Sequence, residues 1–114
     1  MTNHQHRIVR AAVVQLSPVF LDNQGTLDKI DKVLQNLEEQ HCQLALFPES
    51  LLPGYPRGFT FGASVGRRTE VGRDLWLQYH NASVLVDDEV CQSLGALAVK
   101  YEIYLVIGVT EKMR

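Results

Sequence analysis

Three short apolar runs, spaced so that a helical stretch falls between each pair, constrain the fold of this chain more than any other feature. Val9 to Leu16 is rich in valine and alanine, apolar on both faces, and closed by Ser17-Pro18. Such a run reads as a strand buried on both sides. Leu44 to Phe47 reads as a second strand and Ile103 to Val109 as a third. Between the first two, Leu27, Ile30, Val33, Leu34 and Leu37 recur at three- and four-residue spacing, the apolar face of a helix of about four turns. Asp22 and Asn23 are its candidate caps, and Lys29, Asp31, Lys32, Glu38 and Glu39 cover its wet face. Ahead of the third strand, Asp87 or Asp88 is placed to cap a helix with apolar positions Val90, Leu94, Leu97, Ala98 and Tyr101. Strands joined by helical crossovers pair in parallel. The expected class is therefore α/β, in the order strand, helix, strand, long loop, helix, strand.

Parallel pairing brings three carboxyl ends to one edge: Gln15-Leu16, Phe47-Pro48-Glu49 and Thr110-Glu111. In open α/β sheets, ligands bind just outside such ends. Only the second end carries both an acid and a long shaped loop, Pro53-Gly54-Tyr55-Pro56-Arg57-Gly58-Phe59. The irregular pattern runs from Ser50 to about Arg68, dense in glycine and proline. Loops of that length in compact domains are functional or disordered, and Tyr55, Phe59 and Phe61 argue against disorder. Glu70 to Tyr79 reads as a short helix and Val84-Leu85-Val86 as a brief extended piece.

Glu49 has two readings. It is a solvated loop acid or helix cap, or it is a general base whose pKa is raised by partial burial against Phe47 and Tyr55. Tyr55 either packs the loop or presents a phenol to a small substrate. Cys42 sits at the opposite end of the second strand from Glu49, and Cys91 lies beside Val90 on the last helix, so both read as packing residues. His41 and His80 read as structural, and His4 and His6 belong to a polar terminus. Arg57, Arg67, Arg68 and Arg73 are too spread out for a phosphate site, and no phosphate-cradling glycine pattern with its lysine occurs.

The totals exclude several classes. At 114 residues the chain is one small domain or part of a larger one. A formal net charge of −2 gives no pull toward nucleic acid or anionic membrane. No apolar run approaches the length that spans a bilayer, and the polar N-terminus lacks the marks of a secretory signal. Two cysteines without metal-like spacing fit reduced thiols in a cytoplasmic setting, with neither metal nor cofactor expected.

The run Leu46-Phe47-Pro48-Glu49, followed by Leu52-Pro53-Gly54-Tyr55-Pro56, resembles the carbon–nitrogen hydrolase (nitrilase) superfamily. Val9-Arg10-Ala11-Ala12-Val13-Val14-Gln15 is similar to the family's first strand. Arg57 to Gly62, Glu70 to Asp74, Tyr79 to Ser83 and Tyr104 to Gly108 look like the true nitrilase branch. Phe-Pro-Glu alone is a weak motif, whereas the ordered set is specific. The resemblance implies an α-β-β-α sandwich and a Glu-Lys-Cys set that converts a nitrile to a carboxylic acid and ammonia. In it the cysteine attacks the nitrile carbon, the glutamate takes its proton, and a lysine stabilises the covalent intermediate. The glutamate maps onto Glu49 and the pocket tyrosine onto Tyr55. The family's lysine and cysteine fall downstream of Arg114, and Lys100, Lys112, Cys42 and Cys91 do not match them.

Residues 1–114 are accordingly expected to be the incomplete N-terminal portion of such a domain, homo-oligomeric and inert alone. One rival is a non-catalytic pseudoenzyme or interaction module. Another is a fragment of a related amidase or carbamoylase.

Overall fold

In the computed structural model, which describes residues 6–61 and 69–114, the elements follow the expected order. They are β1 (Ala11–Val13), α1 (Asn23–Glu39), β2 (Leu44–Leu46), α2 (Glu70–Ala82), α3 (Glu89–Lys100) and β3 (Tyr104–Val106). The sheet has the order β1-β2-β3, both pairings parallel. Ala12 lies beside Ala45, and Ala45 beside Leu105. Each strand is three residues long, shorter than the apolar runs that mark it. Pairing nevertheless continues past the strand ends, for instance from the Val14 amide to the Leu46 carbonyl at 2.8 Å.

The helices begin where side chains satisfy their free amides. Asp22 caps α1 by accepting from the Gly25 amide at 2.9 Å. Thr69 caps α2 through the Gly72 amide at 3.1 Å, and α2 runs past Tyr79 to Ala82, beyond its expected end. Asp88, not Asp87, caps α3: its carboxylate accepts from the Cys91 and Leu85 amides, each at 3.0 Å. Partial burial pushes the Asp88 carboxyl up. The amides of Cys91, Leu85 and Val90 and the charge of Lys112 outweigh that, so its pKa lies below the usual carboxylate value.

One face of the sheet is covered and the other is bare. Leu27, Ile30, Leu34 and Leu37 of α1 join Leu94 and Tyr101 over Ala45, with Ala12 and Leu105 packed against the same cluster. The Tyr101 hydroxyl donates to Asp31, tying the end of α3 to α1. On the opposite face Val13 and Tyr104 are each 79% exposed, beside the exposed Leu46 and Val106. Alternation along a strand sends neighbouring side chains to opposite faces, so the three strands are apolar on both sides but covered on one.

Candidate functional site

The site is made where β2 and β3 stop running in step. Leu46 pairs with Val106, and pairing resumes at a bridge between Leu52 and Val109. Six steps of chain on one side thus run alongside three on the other. Phe47 donates to the Val106 carbonyl at 2.8 Å, and Gly108 donates to the Pro48 carbonyl at 3.2 Å. The Gly108 carbonyl then accepts from Leu51 at 2.9 Å, passing over Glu49 and Ser50. These two residues are extruded from the ladder in the manner of a bulge, a device that re-aims side chains beside functional sites.

Gly108 is what allows the excursion to lie so close. A Cβ there would stand 2.4 Å from the Glu49 Cα and 2.7 Å from the Ser50 nitrogen. Gly54, two residues past the point where pairing resumes, has φ +127, and a Cβ there would meet the Phe20 ring at 2.6 Å. Only glycine adopts that backbone region readily.

Glu49 opens into a cleft of about 640 Å³ built from three segments. Leu16 to Pro18 follow β1, Pro48 to Leu51 follow β2, and Tyr55 and Arg57 come from the loop. Two of the three carboxyl ends expected to meet at one edge line this cleft. The third end, at Thr110 and Glu111, turns to a second cleft with Trp76 and His80. Glu49 is exposed, as the solvated-acid reading has it, and not partly buried against Phe47 and Tyr55 as the general-base reading had it. Phe47 is 4% exposed and faces the helix-covered core, while Tyr55 is 59% exposed at the loop surface. A residue two places past Phe47 would share its buried face in a regular strand; the extrusion breaks that alternation.

A family model of carbon–nitrogen hydrolases matches residues 10–113. The chain belongs to the carbon–nitrogen hydrolase family. It is 44% identical over 104 residues to a bifunctional nitrilase/nitrile hydratase of Nicotiana tabacum, covering 91% of this chain and 30% of that protein. It is 42% identical over 105 residues to nitrilase 2 of Arabidopsis thaliana, covering 92% of this chain and 31% of the relative. A bifunctional nitrilase/nitrile hydratase of Oryza sativa subsp. japonica is 41% identical over 108 residues, with 91% and 30% covered. The chain thus spans about 30% of the length of these relatives. A three-stranded parallel sheet with α1 and α3 over one face fits the N-terminal part of an α-β-β-α sandwich.

In this carbon–nitrogen hydrolase segment the cysteines lie apart from the cleft. Cys42 and Cys91 are free, half-buried thiols packed against the core. His80 stacks on Trp76 at 5.1 Å, and His41 is exposed at the end of α1. Arg67 and Arg68 lie outside the described residues, as does His4. Among the described residues, no group of three or more His, Cys, Asp or Glu could hold a metal ion. No helix among them is long and apolar enough to cross a membrane. One residue of the cleft and one that holds its loop escape the sequence reading. Arg57, which looks like one of several scattered arginines, lines the cleft beside Glu49. Tyr79 donates from its hydroxyl to the Gly54 carbonyl at 2.8 Å, a partner 25 residues away that no local pattern announces.

Proposed function

We propose that this chain is the N-terminal portion, residues 1–114, of a nitrilase, and that Glu49 is its general base. The observation that carries this is the extrusion of Glu49 from the β2–β3 ladder into a cleft that Tyr55 also lines. A glutamate whose backbone is flanked by hydrogen bonds presents its carboxylate from a fixed point on the chain, as proton transfer needs. Glu49 takes the proton of a cysteine thiol as the sulfur bonds to the nitrile carbon. A lysine steadies the covalent intermediate, and water releases the carboxylic acid and ammonia. The residues after this segment supply that lysine and cysteine, as the coverage of the relatives supports. Tyr55 contacts the substrate. The enzyme is a cytoplasmic homo-oligomer acting on a small nitrile.

The test is Glu49→Gln in the intact enzyme. It keeps the shape and removes the basicity, so ammonia release should fall by at least ~10²–10⁴-fold with the fold unchanged. Near-normal turnover with an unaltered circular dichroism spectrum would reduce Glu49 to a structural acid. Residues 1–114 alone should release no ammonia from nitriles, and turnover by them that is lost on Cys42→Ala or Cys91→Ala would assign the nucleophile to this segment. Turnover of amides but not nitriles by the intact enzyme would favour the amidase reading over the nitrilase one.

A further inference from the structure

Glu49 and Tyr55 sit at the two ends of a five-residue stretch, Ser50 to Gly54, whose middle is buried. Ser50 has φ +46, a left-handed conformation that a non-glycine residue keeps only where its surroundings hold it there. A chain of hydroxyls supplies that hold. Thr110 Oγ1 lies 3.2 Å from Ser50 Oγ and 2.9 Å from the Tyr79 hydroxyl. Tyr79 in turn donates to the Gly54 carbonyl at 2.8 Å. Ser50 directly follows Glu49, and Gly54 directly precedes Tyr55. The chain of hydroxyls therefore ties the two ends of the stretch together from behind.

Thr110 is the fixed point of this arrangement. Its amide donates to the Leu52 carbonyl at 2.9 Å, and its carbonyl accepts from the Val84 amide at 2.8 Å. Tyr79 is held by rings on two sides, Phe20 at 6.1 Å and Phe61 at 5.7 Å between centroids. Neither Thr110 nor Tyr79 lines the cleft that holds Glu49. Their hydroxyls are partly buried, where each needs a partner to offset lost hydration.

We propose that Thr110 is a positioning residue that sets the separation of Glu49 and Tyr55 across the cleft, acting through Ser50 on one side and through Tyr79 and Gly54 on the other. This rests on the reading of Glu49 as base and Tyr55 as substrate contact. A misplacement of about 1 Å in such a pair can cost up to about a hundredfold in rate. The loss falls on kcat, because the bound substrate is retained and only its alignment with the base is disturbed.

The experiment compares Thr110→Val with Thr110→Ser in the intact enzyme, on the nitrile whose turnover Glu49→Gln abolishes. Valine keeps the shape and removes the hydroxyl, whereas serine keeps the hydroxyl and removes the methyl. Thr110→Val should lower kcat by about ten- to a hundredfold with KM nearly unchanged, and Thr110→Ser should stay close to wild type. Equal losses, or a larger loss with serine, would mean that Thr110 only packs, and would overturn the proposal; so would wild-type kcat in Thr110→Val. If Thr110→Val does not accumulate as folded enzyme, Tyr79→Phe carries the test. A fall in kcat at constant KM supports the proposal and an unchanged kcat overturns it. Where both variants fold, the double variant should be no slower than the slower single one, as members of one chain are not additive. Turnover that survives Glu49→Gln strikes the base assignment instead, and is read from a different protein.

Discussion

Replacing Gly108 by alanine should damage this protein in a way that Gly95→Ala does not, and the contrast isolates the close approach at Glu49. Gly95 lies in the interior of α3, exposed, and a Cβ there meets nothing within 4 Å. Gly95→Ala should therefore stabilise the protein by about 0.5–1 kcal/mol through helix propensity alone. At Gly108 the same methyl would stand 2.4 Å from the Glu49 Cα, 2.7 Å from the Ser50 nitrogen and 2.8 Å from the Pro48 oxygen. All three are backbone atoms, so no side chain can turn aside. Carbon atoms rest at about 3.5–4.0 Å, which requires the excursion to retreat by roughly 1 Å. Overpacking of this kind costs about 1–3 kcal/mol. It also strains the two hydrogen bonds that flank the acid, from Gly108 to Pro48 and from Leu51 to Gly108. In the intact enzyme the displacement of Glu49 should lower kcat by about a hundredfold. Thermal unfolding of the two variants side by side, hydrogen exchange at Leu51, and ammonia release give three independent readings. If Gly108→Ala is as stable as Gly95→Ala, or if the Leu51 amide exchanges as slowly as in the wild type, the contact does not confine Glu49 and the reasoning fails.

Asp88 should stabilise α3 in a pH-dependent manner. Its folded pKa lies below 3.8, so its contribution is complete above that value and is lost as the pH falls through the folded pKa. Asp88→Ala should cost about 1 kcal/mol at neutral pH, and its melting temperature should converge on that of the wild type in acid; a gap that stays constant once the carboxylate is protonated would deny the charged cap. The bare sheet face should make residues 1–114 self-associate when isolated. Tyr104→Lys, which places a charge on that face, should shift the sedimentation distribution toward monomer. A wild-type monomer with a sharp, reversible transition would show instead that the segment is self-sufficient.

The layout of the fold was readable because it depends on periodicity. The spacing of Leu27, Ile30, Leu34 and Leu37 marks α1, and these four are its buried apolar residues. Helical crossovers imply the parallel order that the sheet has. Pro48 and Glu49 following an apolar run mark the edge at which the cleft forms. The sequence could not show that the ladder slips between Leu46 and Leu52, because slippage depends on which residues of β3 lie opposite. For that reason the sequence left Glu49 between a solvated loop acid and a partly buried base, and the structure has it exposed. Tyr79 was invisible for a similar reason. Its hydroxyl partners lie 25 and 31 residues away, and at its own position it looks like one more apolar residue of α2.

The stretch after Glu49 divides sharply at Gly54. Leu51 to Gly54 are buried, pinned by the Leu52–Val109 bridge and by Tyr79, whereas most of residues 55 to 60 are exposed. The chain of hydroxyls reaches Ser50 beside Glu49 and Gly54 beside Tyr55, and the exposed tip lies beyond it. Substitutions at residues 56 to 60 fall outside the anchored stretch and should leave the backbone around Glu49 in place. On the roles proposed for Glu49 and Tyr55, a laboratory library aimed at new substrates should randomise residues 56 to 60 and leave residues 49 to 55 untouched.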